Sequence, residues 1–353
     1  MQNFLPKTKS KDTLSVADML KKPKVSIIIT CYNLAQYLPD LIESIENQTY
    51  KNFEVIIVND CSNDNTKEFL DNLLDENFIN KLFKPLKISQ KKYKVIHNTE
   101  NLGQFGSFLE GLKIAEGEFI SLIDADDVLM PDYLMCHLMV HMNTSVAFTS
   151  AAQFEIDENS VVHSLVSLAT SGYKNADFTC TLQDEDEIFS LKEKIENFEV
   201  KVLDNKSCKF GTWAWGPTSS AMMRKSAAEF LLKYPNPKDW IKGADKIAFT
   251  FLHLIGGSAL ISAPLFAYRR HKTNLSSANP VIGNFRYLKP DCIKLYIGYN
   301  KRIRFDVLKF IFKNYDYFIS RFNSLNVKKM IFSIIFSIDF YTLKRAFKSL
   351  FVR

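Results

Sequence analysis

Paired cysteines, glycine-rich loops and long apolar runs are all scarce in this chain, and each scarcity removes a class of protein. The six cysteines, Cys31, Cys61, Cys136, Cys180, Cys208 and Cys292, are scattered, with no Cys-x-x-Cys and no His at zinc-finger spacing. Neither a disulfide scaffold nor a structural zinc site is indicated, and reduced, cytosolic thiols are expected. Twelve glycines and eleven prolines in 353 residues exclude a collagen-like or wholly disordered chain. The stretch from Lys7 to Lys24 mixes Lys and Asp with no apolar core, which argues against a secretory leader. The most apolar C-terminal run, Met330 to Ile338, is stopped by Asp339 and is too short for a bilayer. Repeats and low-complexity tracts are missing, and no Gly-rich basic phosphate loop follows the first apolar run.

What remains, 46% hydrophobic and 24% charged, can bury a full core as one large domain or two ordinary ones. Charge is unevenly placed. Residues 285–353 hold fifteen Lys and Arg against four Asp and Glu, a net of +11, which leaves −5 on the rest of a chain whose total is +6. An acidic body with a basic, aromatic tail suggests a local surface for something anionic rather than nucleic acid binding, which is not expected here. In the tail Phe305, Leu308, Phe312, Tyr315, Ile319 and Phe322 recur at helical spacing, and 330–351 repeats the pattern. Basic amphipathic helices of this kind either lie on an anionic membrane or pack on the body or a second subunit, making a homodimer.

Along the body, β-branched apolar runs alternate with helical patterns. Val25 to Ile29 reads as a strand buried on both faces, followed by a helix through Leu38, Leu41, Ile42 and Ile45. Phe53 to Val58, Lys94 to His97 and Glu118 to Ile123 repeat the strand signal, with helices from Thr66 and after Gly103. The α/β alternation predicts a doubly wound, mainly parallel sheet. After Met130 the rhythm loosens, and the acidic stretch Gln183 to Glu187 reads as a loop. A short strand at Thr218 to Met223, helices from Ser226 and Gly243, and a strand entering Tyr268 follow. The expected organisation is an extension at 1–23, a catalytic domain at 24–284 with halves 24–131 and 132–284, and a helical tail at 285–353.

Ligands in such a sheet sit outside the carboxyl ends of the strands. Polar residues gather at three of those ends: Thr30 to Asn33, Asn59 to Asp64 and Asp124 to Asp127. Asp124, Asp126 and Asp127 at a strand end can offer hard oxygen ligands to Mg²⁺ or Mn²⁺, and a divalent ion there could hold a ligand diphosphate. A solvated turn whose Asp caps the next helix explains the same residues. Asp245, opening a helix, is by the same token a base or a cap.

Val-Ser-Ile-Ile-Ile-Thr-Cys-Tyr-Asn at 25–33, Val-Ile-Ile-Val-Asn-Asp-Cys-Ser-Asn-Asp at 55–64, Asn101-Leu102-Gly103, Gly117-Glu118-Phe119-Ile120 and Leu122-Ile123-Asp124-Ala125-Asp126-Asp127 together resemble the family 2 glycosyltransferases of GT-A fold. The resemblance is dense over 24–131 and sparse up to Ser277. It implies a nucleotide-diphospho-sugar donor, UDP-linked by preference, with Thr30, Tyr32, Asn33, Asp124 and Ala125 around the nucleotide. Asp60 would accept from the base, since the uracil N3–H matches a carboxylate. Asp126 would bind the metal, Mn²⁺ or Mg²⁺. In the second half Gly243-Ala244-Asp245 matches the family's Glu-Asp pair in its Asp alone, which makes Asp245 the candidate general base. Tyr268-Arg269-Arg270-His271 matches the family's Tyr-Arg-x-His, with His271 a second metal ligand and Arg269 or Arg270 toward the diphosphate. Trp213 and Trp215 are candidates for stacking a sugar acceptor, or for core anchors.

The chain departs from the family pattern at Asn59, where Asp is usual, at Cys61, where Gly is common, and at Phe108-Leu109-Glu110, where Ala-Arg-Asn is often seen. The expected function is metal-dependent, inverting transfer of a sugar to a glycan or lipid-linked glycan, in the cytoplasm and peripheral to the membrane. A noncatalytic binding protein of transferase descent and a nucleotidyltransferase are the alternatives; the missing phosphate loop weighs against the second.

Overall fold

The computed structural model describes residues 22–84, 90–166, 179–180, 198–203, 213–271, 274 and 290–336. The extension before Lys22, the acidic segment 183–187, Cys208, residues 272–273 and 275–289, and the tail after Phe336 lie outside the described residues.

The first half runs β1 (Val25–Cys31), α1 (Leu38–Glu46), β2 (Phe53–Asn59), α2 (Thr66–Leu73), α3 (Glu76–Leu82), β3 (Tyr93–His97), α4 (Gly103–Ile114) and β4 (Phe119–Asp124). The second runs β5 (Val128–Leu129), α5 (Tyr133–Asn143), β6 (Phe148–Ile156), β7 (Val162–Val166), β8 (Thr179–Cys180), β9 (Val200–Leu203), β10 (Ala221–Arg224), α6 (Lys225–Ala228), α7 (Ala244–Gly256) and β11 (Ser258–Arg269). The tail carries α8 (Pro290–Lys313), α9 (Tyr315–Phe322) and α10 (Ser324–Phe336).

The main sheet has the order β3-β2-β1-β4-β10-β6-β11-β5. The β2–β3, β1–β2 and β1–β4 ladders are parallel, as is β6–β11, while β10 runs antiparallel between β4 and β6. The long ladders are the parallel ones, so the mixed, mainly parallel architecture expected for a GT-A fold is what forms. β1 is buried at all seven positions because side chains alternate between two covered faces. Ile28 joins α4 residues Phe105, Phe108, Leu109 and Leu112 on one face. Ile27 and Ile29 join Leu38, Leu41 and Ile42 of α1 on the other.

The chain turns from β1 to β2 and β3 on one side and reaches β4 on the other, so the β1/β4 boundary is a topological switch point. Register places Thr30 directly opposite Asp124 there. The far end of the same strands is closed by charge. Glu54 accepts from Ser26 Oγ at 2.7 Å and from Glu116 N at 2.7 Å, and its carboxylate pairs with Lys94 at 2.9 Å and Lys24 at 3.2 Å.

Two expectations change. Thr218 to Ser220 form a 3-10 turn after Gly216-Pro217, and β10 begins only at Ala221. Of the two roles open for the tail helices, packing on the body accounts for their apolar stripe. Phe310, Phe318, Phe322, Val327 and Met330 are buried in the same cluster as Phe230, Leu231 and Phe251 of the body. The Phe230 ring lies 4.8 Å from Phe322, and Phe251 lies 5.0 Å from Phe310. Among the described residues no helix is long and apolar enough to cross a membrane.

Candidate active site

The loops after β1 and β2 are stitched into one rim. Asn33, in the left-handed region at φ 57°, accepts from Asn63 N at 2.7 Å, and its own N–H donates to Ser62 Oγ at 3.0 Å. Ala35 N donates to Asp64 at 3.1 Å. Tyr32 projects from this rim, 44% exposed, while Thr30 is buried at the strand end. Cys61 also sits at positive φ, 60°, which explains why glycine suits the position. Asn59 takes part in the rim, accepting from Ser62 N at 3.0 Å and touching His97 Nδ1 at 3.0 Å.

Asp60 is buried beneath the rim. Its Oδ1 accepts from Leu102 N at 2.7 Å and Asn98 Nδ2 at 2.9 Å, and its Oδ2 accepts from Gly103 N at 2.8 Å. Three of about four acceptor positions are therefore taken, two by the start of α4 and one by Asn98, leaving one for a ligand donor. Gly103 is required there: at φ +74°, an added Cβ would fall 2.3 Å from Ile241 Cα.

The loop after β4 gathers the acidic groups. Asp126 Oδ2 lies 2.8 Å from His271 Nε2 and accepts from Asn274 Nδ2 at 3.2 Å. Asp127 is fully buried, with Oδ1 accepting from Arg269 N at 2.9 Å and, among the described residues, no hydrogen-bond partner within bonding distance of Oδ2. Arg269, expected to face a diphosphate, lies under this loop with no exposed surface. Its Nε donates to the Asp126 carbonyl at 2.8 Å, Nη1 to Ser160 Oγ at 2.9 Å, and Nη2 to Asp40 at 2.8 Å. The guanidinium also covers the Tyr37 ring, which packs 5.0 Å from His271. Position in sequence suggested a ligand contact; burial and saturation of the donors make Arg269 a clamp on the loop after β4. Arg270 is engaged at 2.5 Å with Glu155.

Asp124 faces the second half. Its Oδ1 accepts from Gln104 Nε2 at 2.5 Å, and its N–H donates to Ser219 Oγ at 3.0 Å. Burial, then the Asp126 charge, push the Asp124 carboxyl up to about 7 against the Gln104 hydrogen bond, and Asp245 adds to the rise. Burial likewise raises Asp245, countered by Lys246. Burial and the charges of Asp126 and Asp124 raise Asp127 well above the carboxylate range. Asp124 and Asp245, far apart in sequence, therefore share one electrostatic site. Asp245 Oδ1 also accepts from Lys246 N at 2.9 Å in the first turn of α7.

Among the described residues no three His, Cys, Asp or Glu side chains converge tightly enough to hold a metal by themselves. The residues nonetheless fit a divalent ion held by two protein ligands plus ligand oxygens. Carboxylates raise one another's protonation, and the Asp127 Oδ2 is orphaned. Asp126 and His271 are the groups that would hold it.

Trp215 is 6% exposed, donates to Ser258 Oγ at 2.8 Å and packs on Phe148, which is the core-anchor role. Trp213, half-buried, lies against Phe249. Phe108 and Leu109 are core residues, and Glu110 pairs with Lys113 at 2.5 Å. Sequence reasoning missed Gln104, Asp40 and Tyr37, whose partners lie far away in the chain. Asn274, three residues beyond His271, joins the site in the same way, through Asp126 148 residues away.

Residues 26–188 match the family model described as glycosyl transferase family 2. A putative glycosyltransferase EpsH of Bacillus subtilis is 27% identical over 262 residues, covering 72% of this chain and 63% of the relative. The UDP-Glc:alpha-D-GlcNAc-diphosphoundecaprenol beta-1,3-glucosyltransferase WfgD of Escherichia coli is 30% identical over 142 residues, 40% of this chain and 50% of the relative. The first 349 residues of S. aureus TarS in complex with UDP give a TM-score of 0.47 at 14% identity, covering 83% of this chain and 72% of that one. The chain spans between 31% and 66% of the length of the first curated relatives that it matches. The family motifs on the strand ends thus lie within residues 26–188, the segment of this chain that matches glycosyl transferase family 2.

Proposed function

We propose that this protein is a metal-dependent, inverting glycosyltransferase that moves a sugar from a UDP-linked donor to a glycan or lipid-linked glycan. The observation that carries the reading is that Gln104 bridges Asp124, at the end of β4, and the Ala244 N–H beside Asp245, at the start of α7, at the carboxyl edge of the sheet. Thr30, Tyr32, Asn33, Asp124 and Ala125 line the nucleotide side, with the remaining Asp60 acceptor position matched to a base N–H. A divalent ion between Asp126 and His271 would supply positive charge for the departing diphosphate. Arg269 and Asn274 keep that pair oriented. Asp245 takes the acceptor hydroxyl proton as the hydroxyl attacks the anomeric carbon, and its raised pKa brings it closer to the working pH of a base. Half-buried Trp213 is the better placed of the two indoles for an acceptor, since Trp215 is closed in.

The name of the Escherichia coli relative, with a UDP-sugar and a diphosphoundecaprenol substrate, supports the donor and lipid-linked acceptor classes. So does the outer face of the tail. A groove of about 270 Å³ is lined by Phe312, Tyr315, Lys328, Ile331, Phe332 and Ile335, and Lys313 and Lys329 are exposed beside it. That combination suits the surface of an anionic membrane. Full-length protein is expected to bind anionic vesicles less tightly as salt rises; a salt-independent dimer with no vesicle binding would give the face to a second copy.

A panel of nucleotide sugars, assayed for nucleoside diphosphate release with Mn²⁺ or Mg²⁺, tests the central reading. Turnover of a UDP-sugar that chelation stops is expected. Triphosphate consumption, or no turnover with any donor, would overturn it.

A further inference from the structure

Gln104 is the second residue of α4, yet its side-chain amide reaches both halves of the site. Nε2 donates to Asp124 Oδ1 at 2.5 Å and to Thr218 Oγ1 at 3.1 Å, partners 20 and 114 residues away. Oε1 accepts from Ala244 N at 3.0 Å, 140 residues away and next to Asp245. Chemistry fixes the orientation of the amide, because a backbone N–H can only donate and the Asp124 carboxylate accepts. The backbone is pinned as well: Gln104 N donates to Ile241 O at 2.9 Å, and Asp60 holds the two preceding N–H groups. Gly243, at the start of α7, offers no side chain to cap the helix, so the Gln104 carbonyl satisfies one of its orphan donors.

Resting on the transferase reading above, we infer that Gln104 is a positioning residue that couples the donor-side carboxylate Asp124 to the first turn of α7 and so sets where Asp245 stands relative to the donor. A ligand that moves the loop after β4 is transmitted through one rigid, doubly anchored amide to the base helix. The effect falls on turnover more than on donor binding, because misplacing a base by a fraction of an ångström disturbs the transition state and leaves the ground-state contacts at Thr30 to Asn33 in place.

Two variants separate positioning from capping. Gln104→Glu keeps an acceptor for Ala244 N but removes the donor to Asp124; Gln104→Met removes both at similar volume. Each is checked for native circular dichroism and melting temperature, then assayed with the donor that the wild type turns over. The expected result is a kcat lower by about 10–10²-fold in both, with donor KM within about threefold. Amide exchange over 244–248 is measured in parallel with UDP and Mn²⁺ as the probe. Protection on binding is expected in the wild type and is lost in both variants. Wild-type kcat in a folded Gln104→Met protein, or undiminished protection in either variant, overturns the inference while leaving the transferase reading intact. A wild type that neither binds UDP with Mn²⁺ nor turns over any donor overturns that reading and the inference with it.

Discussion

In the parallel half of the sheet, β1 to β4, each site residue follows its own strand by a few positions, and register alone brings Thr30 opposite Asp124. In the half built from β6, β10 and β11, the corresponding groups are held from afar. The first turn of α7 is capped by Gln104, and Asp126 meets His271 and Asn274 across 145 and 148 residues. A parallel ladder aligns whatever follows its strands, so local sequence is enough to build a rim. Where β10 runs antiparallel and register shifts interrupt the parallel β6–β11 ladder, there is no such common edge, and each functional group needs its own tertiary tether. The two halves should therefore respond differently to substitution.

The largest expected effect separates their chemistry. Asp126→Ala should abolish metal-dependent UDP binding, whereas Asp245→Asn should bind UDP normally and lose transfer by about 10²–10⁴-fold. Calorimetry with Mn²⁺ and initial rates distinguish the two. Equal loss of binding in both variants would mean that the halves do not divide donor from acceptor work.

Stability comes next. Phe318 is fully buried between the tail and the body, 5.8 Å from Phe230 and 5.3 Å from Phe310. Phe318→Ala should cost about 3 kcal/mol or more in denaturant unfolding, with a single transition because tail and body share one core. Two transitions would make the tail a separate unit. Gly103→Ala should cost roughly 1–3 kcal/mol, since the left-handed backbone and the Ile241 backbone both resist a Cβ. It should also lower transfer by moving Gln104.

The smallest effects at neutral pH emerge on acidification and again divide the halves. Burial alone would raise Glu54, but Ser26, the Glu116 N–H, Lys94 and Lys24 outweigh it and bring the carboxyl down to about 2. With a folded pKa below the ordinary 4.5, its stabilisation is complete above that value and is lost as pH falls toward 2. In the second half, burial lowers His137 to about 3 from 6.5, so its contribution begins to fall below pH 6.5. Urea melts across this range should steepen less with Glu54→Gln at the acid end and with His137→Asn from pH 6.5 downward.

Departures from the family pattern fit this division. Phe108 and Leu109, where the family often has Ala and Arg, fill the α4 face of the core, a change that periodicity alone already favours. Cys61 keeps the left-handed turn that Gly usually supplies, at a strain that the rim absorbs through Ser62 and Asn63. Arg269 was misjudged because a motif records that a residue type is needed and not which way its side chain points. The indoles divided for a similar reason: Trp215 found Ser258 inside the core, which no spacing could announce.

By itself the sequence determined the elements and the rim. Continuous β-branched runs can only be strands covered on both faces, and the polar residues that end them must collect at one edge. It also determined that Asp124, Asp126 and Asp127 would stand together, since they share a single turn. Tertiary structure alone decided which of those carboxylates meets His271, that Arg269 faces inward, that the tail's aromatic stripe closes the core, and that Gln104 spans Asp124 and α7. Each of these depends on packing between segments that are not neighbours in sequence, or on a side-chain direction, and neither leaves a periodic signal in the chain.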